Sequence, residues 1–513
     1  MTLSQLEQLI ARGALDDAVA ALRHRWYQLP DAGPRLGPVL ERLIQHSGNH
    51  ELRLLAVLHE PTSSYRSSSD QEIAAVTATV YDQTRLPEAR MVSALLLIRT
   101  LSHLGRFDEA VTLGVAAGET VSRLGSDPSA TIRECSAMLH FHTGATALFA
   151  LELSLARRQL RLAYQHGTFS PRTAADAAAM LALISVLEGT FHTTDFWVSE
   201  AERWSPADTW ATGFARQIAS AAKVISSIDR LDWGEYTRGL LSLKVPALGH
   251  GQCFFTYAQA QASLHLRNHQ SGIERLQEHR REYPHQFNAP TLASVLFDTV
   301  EADLWMALGR FGQAEDLVTG GHPAQVAAAA RLHLLTHDYA RALDLVGLRS
   351  RPDNLTPREE QTFDLIQASA ELATGRAVSN LTKIVTGIAA DPEVWQATLS
   401  LIDPALIEEL RLHALRHALH WPRIPFVYES ARLQVPPPLS PRELVVLERI
   451  CAGLTEPEIA ETLHVTLSTI KNQRNSLYRK LGANDRQHAM SIARYYKLDK
   501  AATEDRSILP RVE

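Results

Sequence analysis

Residues 439–496 read LSPRELVVLERICAGLTEPEIAETLHVTLSTIKNQRNSLYRKLGANDRQHAMSIARYY, and four short helices can be written over them from their end signals alone. Ser440 precedes Pro441 and is followed three residues on by Glu443. That is a capping box, with proline at the first helical position. Gly453 ends the first helix. Thr455 and Glu458 repeat the box, and Pro457 is tolerated because it falls in the first turn. This second helix runs to about Leu463. A short turn, His464-Val465, leads to Thr466, which caps a third helix closed by Gly482. Asp485 caps the fourth.

Two helices joined by so short a turn form a helix-turn-helix. Its structural core is expected at Ile459, Ala460, Val465, Ile470, Leu477 and Leu481, with Arg474 filling one inward place on the third helix. The opposite stripe of that helix carries Ser468, Lys471, Asn472, Asn475 and Arg479, and no carboxylate occurs from Thr466 to Asn484. Amide side chains bond adenine edges, while lysine reaches guanine or phosphate. A solvated helix face without that duty normally mixes Glu with its Lys.

The segment closely resembles the LuxR/GerE-type DNA-binding domain. The matching text is Leu-Ser-Pro-Arg-Glu at 439–443, Gly453-Leu454-Thr455, Glu458-Ile459-Ala460, Thr469-Ile470-Lys471 and Arg479-Lys480-Leu481-Gly482. The resemblance implies that the third helix is the recognition helix, with Lys471, Asn472 and Asn475 over bases and Thr469 and Arg479 near phosphate. It also implies a homodimer on double-stranded DNA, with the fourth helix at the dimer contact, where Met490, Ile492, Tyr495 and Tyr496 supply apolar surface. Gln473 departs from the family, which more often has His there.

Working outward, Trp421-Pro422-Arg423-Ile424-Pro425 and Pro436-Pro437-Pro438 bracket a stretch that cannot be one helix, so a semi-rigid linker is placed at 422–438. Upstream, residues 1–421 read as Ala/Leu/Arg/Glu-rich segments of helical length, without a sustained strand period. Three turns share G-x-[F/L]-x-x-A: Gly13-Leu15-Ala18, Gly105-Phe107-Ala110 and Gly309-Phe311-Ala314. Glycine permits the tight turn, the large apolar residue plugs the gap, and alanine lets the second helix approach. Gly105 and Gly309 lie six times 34 residues apart, and weaker turns stand near Gly189, Asp232, Asn268, Asp338 and Gly375. The segments resemble degenerate tetratricopeptide repeats. The fold expected is therefore all-α: a tetratricopeptide-like helical-repeat solenoid, a small four-helix reader at 439–497, and a tail at 498–513.

The layout resembles the MalT-like regulators, which join an ATPase, a helical-repeat sensor and a LuxR-type terminus. No GxxxxGK[ST] occurs, so only the repeat and reader parts carry over, and ATP dependence does not.

The remaining arithmetic fits this plan. Net charge is −6, yet residues 439–497 carry nine Lys+Arg against six Asp+Glu. Four of the seven lysines (Lys471, Lys480, Lys497 and Lys500) fall in the last 43 residues. An acidic body with a basic end suits polyanion binding. Three scattered cysteines exclude a disulfide framework or zinc finger. With no basic leader and no long apolar run, a cytoplasmic location and no membrane partner are expected. His413, His417 and His420 share a helical face without a completing ligand, so no metal is assigned. Four tryptophans (Trp197, Trp204, Trp210 and Trp233) could line a ligand pocket, but core packing is the simpler role. No catalytic residues and no cofactor are assigned. The reading is a sequence-specific DNA-binding transcriptional regulator whose repeats sense a small molecule or partner protein. The alternative is a helical-repeat scaffold whose terminal domain binds protein rather than DNA.

Overall fold

The structure, a computed structural model, describes residues 2–28, 36–59, 69–82, 84–122, 130–167, 169–205, 210–242, 251–287, 290–347, 351–352, 354–417, 421, 427–428, 439–481, 483, 485–495 and 498. Among them all regular structure is helical. The chain opens with α1 (Leu3–Ala11), α2 (Leu15–Arg25), α3 (Leu36–Ser47), α4 (His50–His59) and α5 (Ser69–Tyr81). Helix pairs follow: α6 (Pro87–His103) with α7 (Phe107–Ser122), α8 (Ala130–Phe149) with α9 (Leu153–Gln165), and α10 (Pro171–Leu187) with α11 (Phe191–Arg203). Next come α12 (Trp210–Asp229) with α13 (Trp233–Ser242), α14 (Gln252–His265) with α15 (His269–Glu282), and α16 (Leu292–Ala307) with α17 (Phe311–Leu317). The series continues with α18 (Pro323–Leu335), α19 (Tyr339–Val346), α20 (Pro357–Ala373), α21 (Leu381–Ala390), α22 (Pro392–Ser400) and α23 (Pro404–Arg416). The C-terminal segment forms α24 (Pro441–Cys451), α25 (Glu456–Thr462), α26 (Leu467–Leu481) and α27 (Arg486–Tyr495).

One turn recurs between paired helices, and its geometry explains the glycine pattern. Gly13, Gly105 and Gly309 have φ of 77°, 78° and 70°. Beyond each, a backbone N–H reaches back five residues, as in Arg106 N to Leu101 O at 2.8 Å and Arg310 N to Trp305 O at 2.9 Å. The residue that plugs the pair is Phe107 or Phe311, at 5% and 1% exposure, and Ala18, Ala110 and Ala314 are fully buried. Leu151, Leu231, Arg267 and His337 stand in the same left-handed slot, with φ of 64°, 55°, 60° and 59°. Each is closed by the same bond, from Glu152, Asp232, Asn268 or Asp338. The Leu151 turn has no sequence signal, and it changes the spacing. From Gly105 to Gly309 the turns fall at 151, 189, 231 and 267, giving five intervals of 36 to 46 residues instead of six of 34. First helices of up to 20 residues, such as α8 and α12, account for the longer period.

The chain divides into two compact units, residues 1–226 with 234–255 and 282–294, and residues 227–233 with 256–281 and 295–513. In the first, α6 packs on α8 and α8 on α10, each also against its own paired helix. α10 is buried on nearly every side from Thr173 to Val186, and its alanines let neighbours approach closely. In the second unit, Phe363, Leu365, Ile366, Ile384, Leu399 and Leu410 anchor the core. Two buried carboxylates are paired with arginines: Arg331 Nη2 lies 2.8 Å from Asp303 Oδ2, and Arg358 Nη1 lies 3.0 Å from Asp229 Oδ1. Within the expected linker, Val427 and Tyr428 are described, and both dock on this unit. Val427 N donates to Ser400 O at 2.9 Å, and the fully buried Tyr428 hydroxyl donates to Asp303 Oδ1 at 2.7 Å. The triple proline lies outside the described residues.

Candidate nucleic-acid interface

The reader is framed by its caps. Ser440 N donates to Glu443 Oε2 at 2.7 Å, Glu443 N donates to Ser440 Oγ at 3.3 Å, and Thr455 N donates to Glu458 Oε2 at 2.7 Å. Gly453, at φ 90°, closes α24. Glu443 does more than cap. Its carboxylate accepts from Ser476 Oγ at 2.9 Å and Lys480 Nζ at 2.7 Å, tying α24 to α26. The Lys480 ammonium and the serine donors hold it from 4.5 down to about 2, against the opposing effect of burial. Arg486 Nη2 donates to Ile450 O at 2.9 Å and fixes the start of α27 on α24.

Thr469 N donates to Thr466 Oγ1 at 3.2 Å, the expected cap of α26. Ile459, Ala460, Ile470, Leu477 and Leu481 are buried as expected, but Val465 is not. It is 39% exposed, because His464 adopts a left-handed φ of 52° and Val465 N bonds back to Ala460 O at 3.0 Å. The helix closes there and turns the Val465 side chain outward. Leu467, at 40% exposure, joins it at the leading edge of α26. Sequence reasoning missed this pair, since an apolar residue in a two-residue turn reads as core.

Ser468, Lys471, Asn472, Asn475 and Arg479 are all exposed along one stripe of α26. Thr469 is half-buried, its hydroxyl 2.9 Å from that of Thr466. Arg474, expected inside, ion-pairs with Glu456, and its Nη2 donates to Asn475 Oδ1 at 2.9 Å. Its guanidinium also stands 5.8 Å from the Tyr478 ring centroid. Engaging the Asn475 oxygen leaves the amide NH₂ group as that side chain's donor toward solvent. The cations of α26 thus separate by role: Arg474 and Lys480 hold the domain together, while Lys471 and Arg479 extend from the exposed stripe.

α27 packs on α24 and also on α17 of the repeats. Its expected dimer surface is smaller than the sequence implied, because Ile492 is 3% exposed and Met490 is half-buried. The side chain of Tyr495 and all of Tyr496 lie outside the described residues, as does Gly482.

His413 and His417 have ring centroids 4.7 Å apart, and His420 lies outside the described residues. Among the described residues, no group of three or more His, Cys, Asp or Glu could hold a metal ion. Trp197 meets Tyr164 edge-on at 5.2 Å, whereas Trp204 takes Arg203 over its ring at 5.5 Å and has no contact of either kind with Trp197. The Trp210 side chain lies outside the described residues, and Trp233 is half-buried beside His265. Among the described residues, no helix is long and apolar enough to cross a membrane.

Residues 437–493 match the family described as GerE: Bacterial regulatory proteins, luxR family. The four C-terminal helices are therefore a LuxR-family helix-turn-helix domain, from a family of regulatory proteins rather than enzymes. Among curated proteins, the chain is 45% identical over 64 residues to "Probable transcriptional regulatory protein NarL" of Mycobacterium tuberculosis, covering 12% of this chain and 30% of that one. It is 44% identical over 55 residues to "Transcriptional regulatory protein YdfI" of Bacillus subtilis, covering 11% and 26%. The chain spans less than a third of the length of these relatives. No solved structure matches it.

Proposed function

We propose that this chain is a sequence-specific DNA-binding transcriptional regulator, acting in the cytoplasm, whose helical repeats control the C-terminal reader. The observation that carries the reading is the exposed, acid-free stripe of α26 in a domain of this family. In the major groove, Lys471, Asn472 and Asn475 would face base edges and Arg479 the backbone. Val465 and Leu467, exposed at the leading end, suit the thymine methyl group. Ser468 and Thr469 would reach phosphate or sugar.

Regulation is the finer part of the proposal. The repeats, in tetratricopeptide-like pairs, would bind an effector and set the freedom of the reader. Two contacts support restraint of the reader: α27 against α17, and Tyr428 of the linker against Asp303. The fourth helix is the element the family resemblance assigns to the homodimer contact on DNA, so its engagement by α17 would compete with pairing. Residues 434–513 alone should then bind DNA at least as tightly as the intact chain without effector.

The test is selection of a random duplex library on the intact chain, followed by affinity measurements on the enriched site. Enrichment of a two-half-site sequence, with binding lost in Lys471→Gln/Asn472→Ala, is the expected result. No enrichment, with release from heparin at the same low salt as a chain ending at residue 430, would favour the protein-binding scaffold.

A further inference from the structure

A group of charged and titratable side chains in the first unit lies on three successive first helices. Arg99 comes from α6, His142 from α8, and Arg172 and Asp176 from α10, one turn apart. Both arginines and His142 are half-buried, and Asp176 is 8% exposed. The positive charges of Arg99 and Arg172 lie close enough to repel each other, and burial followed by that repulsion pushes Arg99 down to about 10. Among the described residues, neither guanidinium makes a close ion pair or a hydrogen bond, although Arg172 acts electrostatically on Asp176 one turn along α10. Arg99 stands 5.1 Å from the Trp26 ring centroid instead. Inward guanidiniums elsewhere in the repeats carry carboxylates, as Arg331 does with Asp303 and Arg351 with Asp364.

Asp176 Oδ1 is buried without a hydrogen-bond partner. Burial pushes this carboxyl up to about 7, with Arg172 and the Ala215 backbone opposing. Burial, then Arg99 and Arg172, hold His142 well below the usual imidazole range, so it stays neutral at pH 7. Two guanidiniums therefore face at most one carboxylate charge. Uncompensated charge of one sign inside the fold, together with an orphaned acceptor, is destabilising.

We propose that Arg99, His142, Arg172 and Asp176 form a binding site for a small organic anion that carries a hydroxyl or ammonium donor beside its carboxylate or phosphate. The anionic group lies between the two guanidiniums, which bind planar or tetrahedral oxyanions through forked N–H donors. Asp176 Oδ1 accepts from the neighbouring donor of the ligand. Neutral His142 serves as donor or acceptor to the same head group, and Trp26 supports Arg99 from behind. This rests on the sensing half of the proposed function and names the ligand class for it.

The intact chain is followed by thermal unfolding with acetate, lactate, glutamate, inorganic phosphate and glycerol 3-phosphate, against chloride at matched ionic strength. Lactate, glutamate or glycerol 3-phosphate should raise Tm by about 2 °C or more beyond chloride, and acetate by less. The carboxylate and phosphate arms identify the head group. Arg99→Gln and Arg172→Gln should lose the response while leaving the ligand-free Tm equal or higher, because a repulsion is relieved. Asp176→Leu, which removes the acceptor, should retain a phosphate response and lose the preference for donor-bearing anions. Ligand-free Tm falling by several degrees in both arginine variants would make them structural and overturn the site. So would a wild-type response in those variants, or no anion exceeding chloride. DNA affinity is read in the same samples. An anion response lost in Arg172→Gln with no effect of the anion on DNA binding keeps the site and refutes the sensing reading.

Discussion

Replacing Tyr428 by Phe removes one oxygen atom from a fully buried site and leaves the ring in place. That oxygen donates to Asp303 Oδ1 at 2.7 Å, and Asp303 also accepts from Arg331 Nε at 3.1 Å and Nη2 at 2.9 Å. The carboxylate is therefore not orphaned by the change. The Asp303 hydrogen bond, to a charged group, is worth about 1.5 kcal/mol, or roughly tenfold in an equilibrium constant, and the hydroxyl's interaction with Arg331 goes with it. Tyr428 is joined to the repeats through a segment of the linker, so the loss falls on local docking rather than on global stability. Protease cleavage within 422–438 should rise about tenfold in Tyr428→Phe, and cognate DNA affinity should rise with it. Tyr428→Ala, which also removes the buried ring, should exceed both effects, by about 3 kcal/mol or more. Burial, then the Asp303 charge, keeps the phenol well above its ordinary range, so docking should not weaken between pH 6 and 9. Unchanged cleavage in Tyr428→Phe, or weaker DNA binding, would refute linker docking as a restraint.

Three further outcomes follow from the site and its frame. Asn472→Ala should weaken cognate binding by about 1–3 kcal/mol with little effect on random DNA, whereas Arg479→Ala should weaken both and lower the salt slope by about one. Equal losses on both DNAs for Asn472→Ala would put that residue on phosphate. Glu443 is depressed from 4.5 to about 2, so its contribution is whole above pH 4.5 and lost as pH falls toward 2. Chemical denaturation of the reader should show about 3 kcal/mol disappearing across that window, and Glu443→Gln should flatten the profile. Gly13→Ala should cost about 1 kcal/mol for its left-handed backbone, since an added Cβ meets nothing. Gly105→Ala should cost about 3 kcal/mol, because the added Cβ would stand 2.4 Å from His285 O. Equal unfolding midpoints for the two variants would show that the close approach is dispensable.

Features written within a few residues were legible. Ser440 with Glu443, Thr455 with Glu458, and the glycines at 13, 105 and 309 each state a local geometry that one side chain, or its absence, satisfies. The turns at Leu231, Arg267 and His337 were marked only weakly, by Asp232, Asn268 and Asp338, and Leu151 adopts the same turn with no signal at all, because tertiary packing imposes a conformation its side chain disfavours. The repeat spacing therefore escaped the glycine pattern. Long-range partners were illegible for a different reason. Tyr428 meets Asp303 across 125 residues, and a lone tyrosine between prolines reads only as part of a spacer. The stripe of α26 was legible because helical period alone decides which residues share a face.

Charge shows where composition stops and structure begins. The sequence counts seven basic residues between Leu467 and Lys497, and the count alone points to a broadly cationic surface. Arg474 is engaged with Glu456, Lys480 with Glu443, and Arg486 with the Ile450 carbonyl. Those three act before any nucleic acid arrives, fixing α24, α25 and α27 around α26. An ion already paired in the free domain releases few counterions on binding, so it adds little to the salt-dependent part of the affinity. Lys471 and Arg479 are exposed on one stripe, and under the proposed function they would be the cations of α26 that meet phosphate or base. Binding then depends less on a general field than on where α26 is held. Under the proposed regulation, a contact on α27 from α17, together with an anchor on the linker at Tyr428, would act on that position and not on the charge.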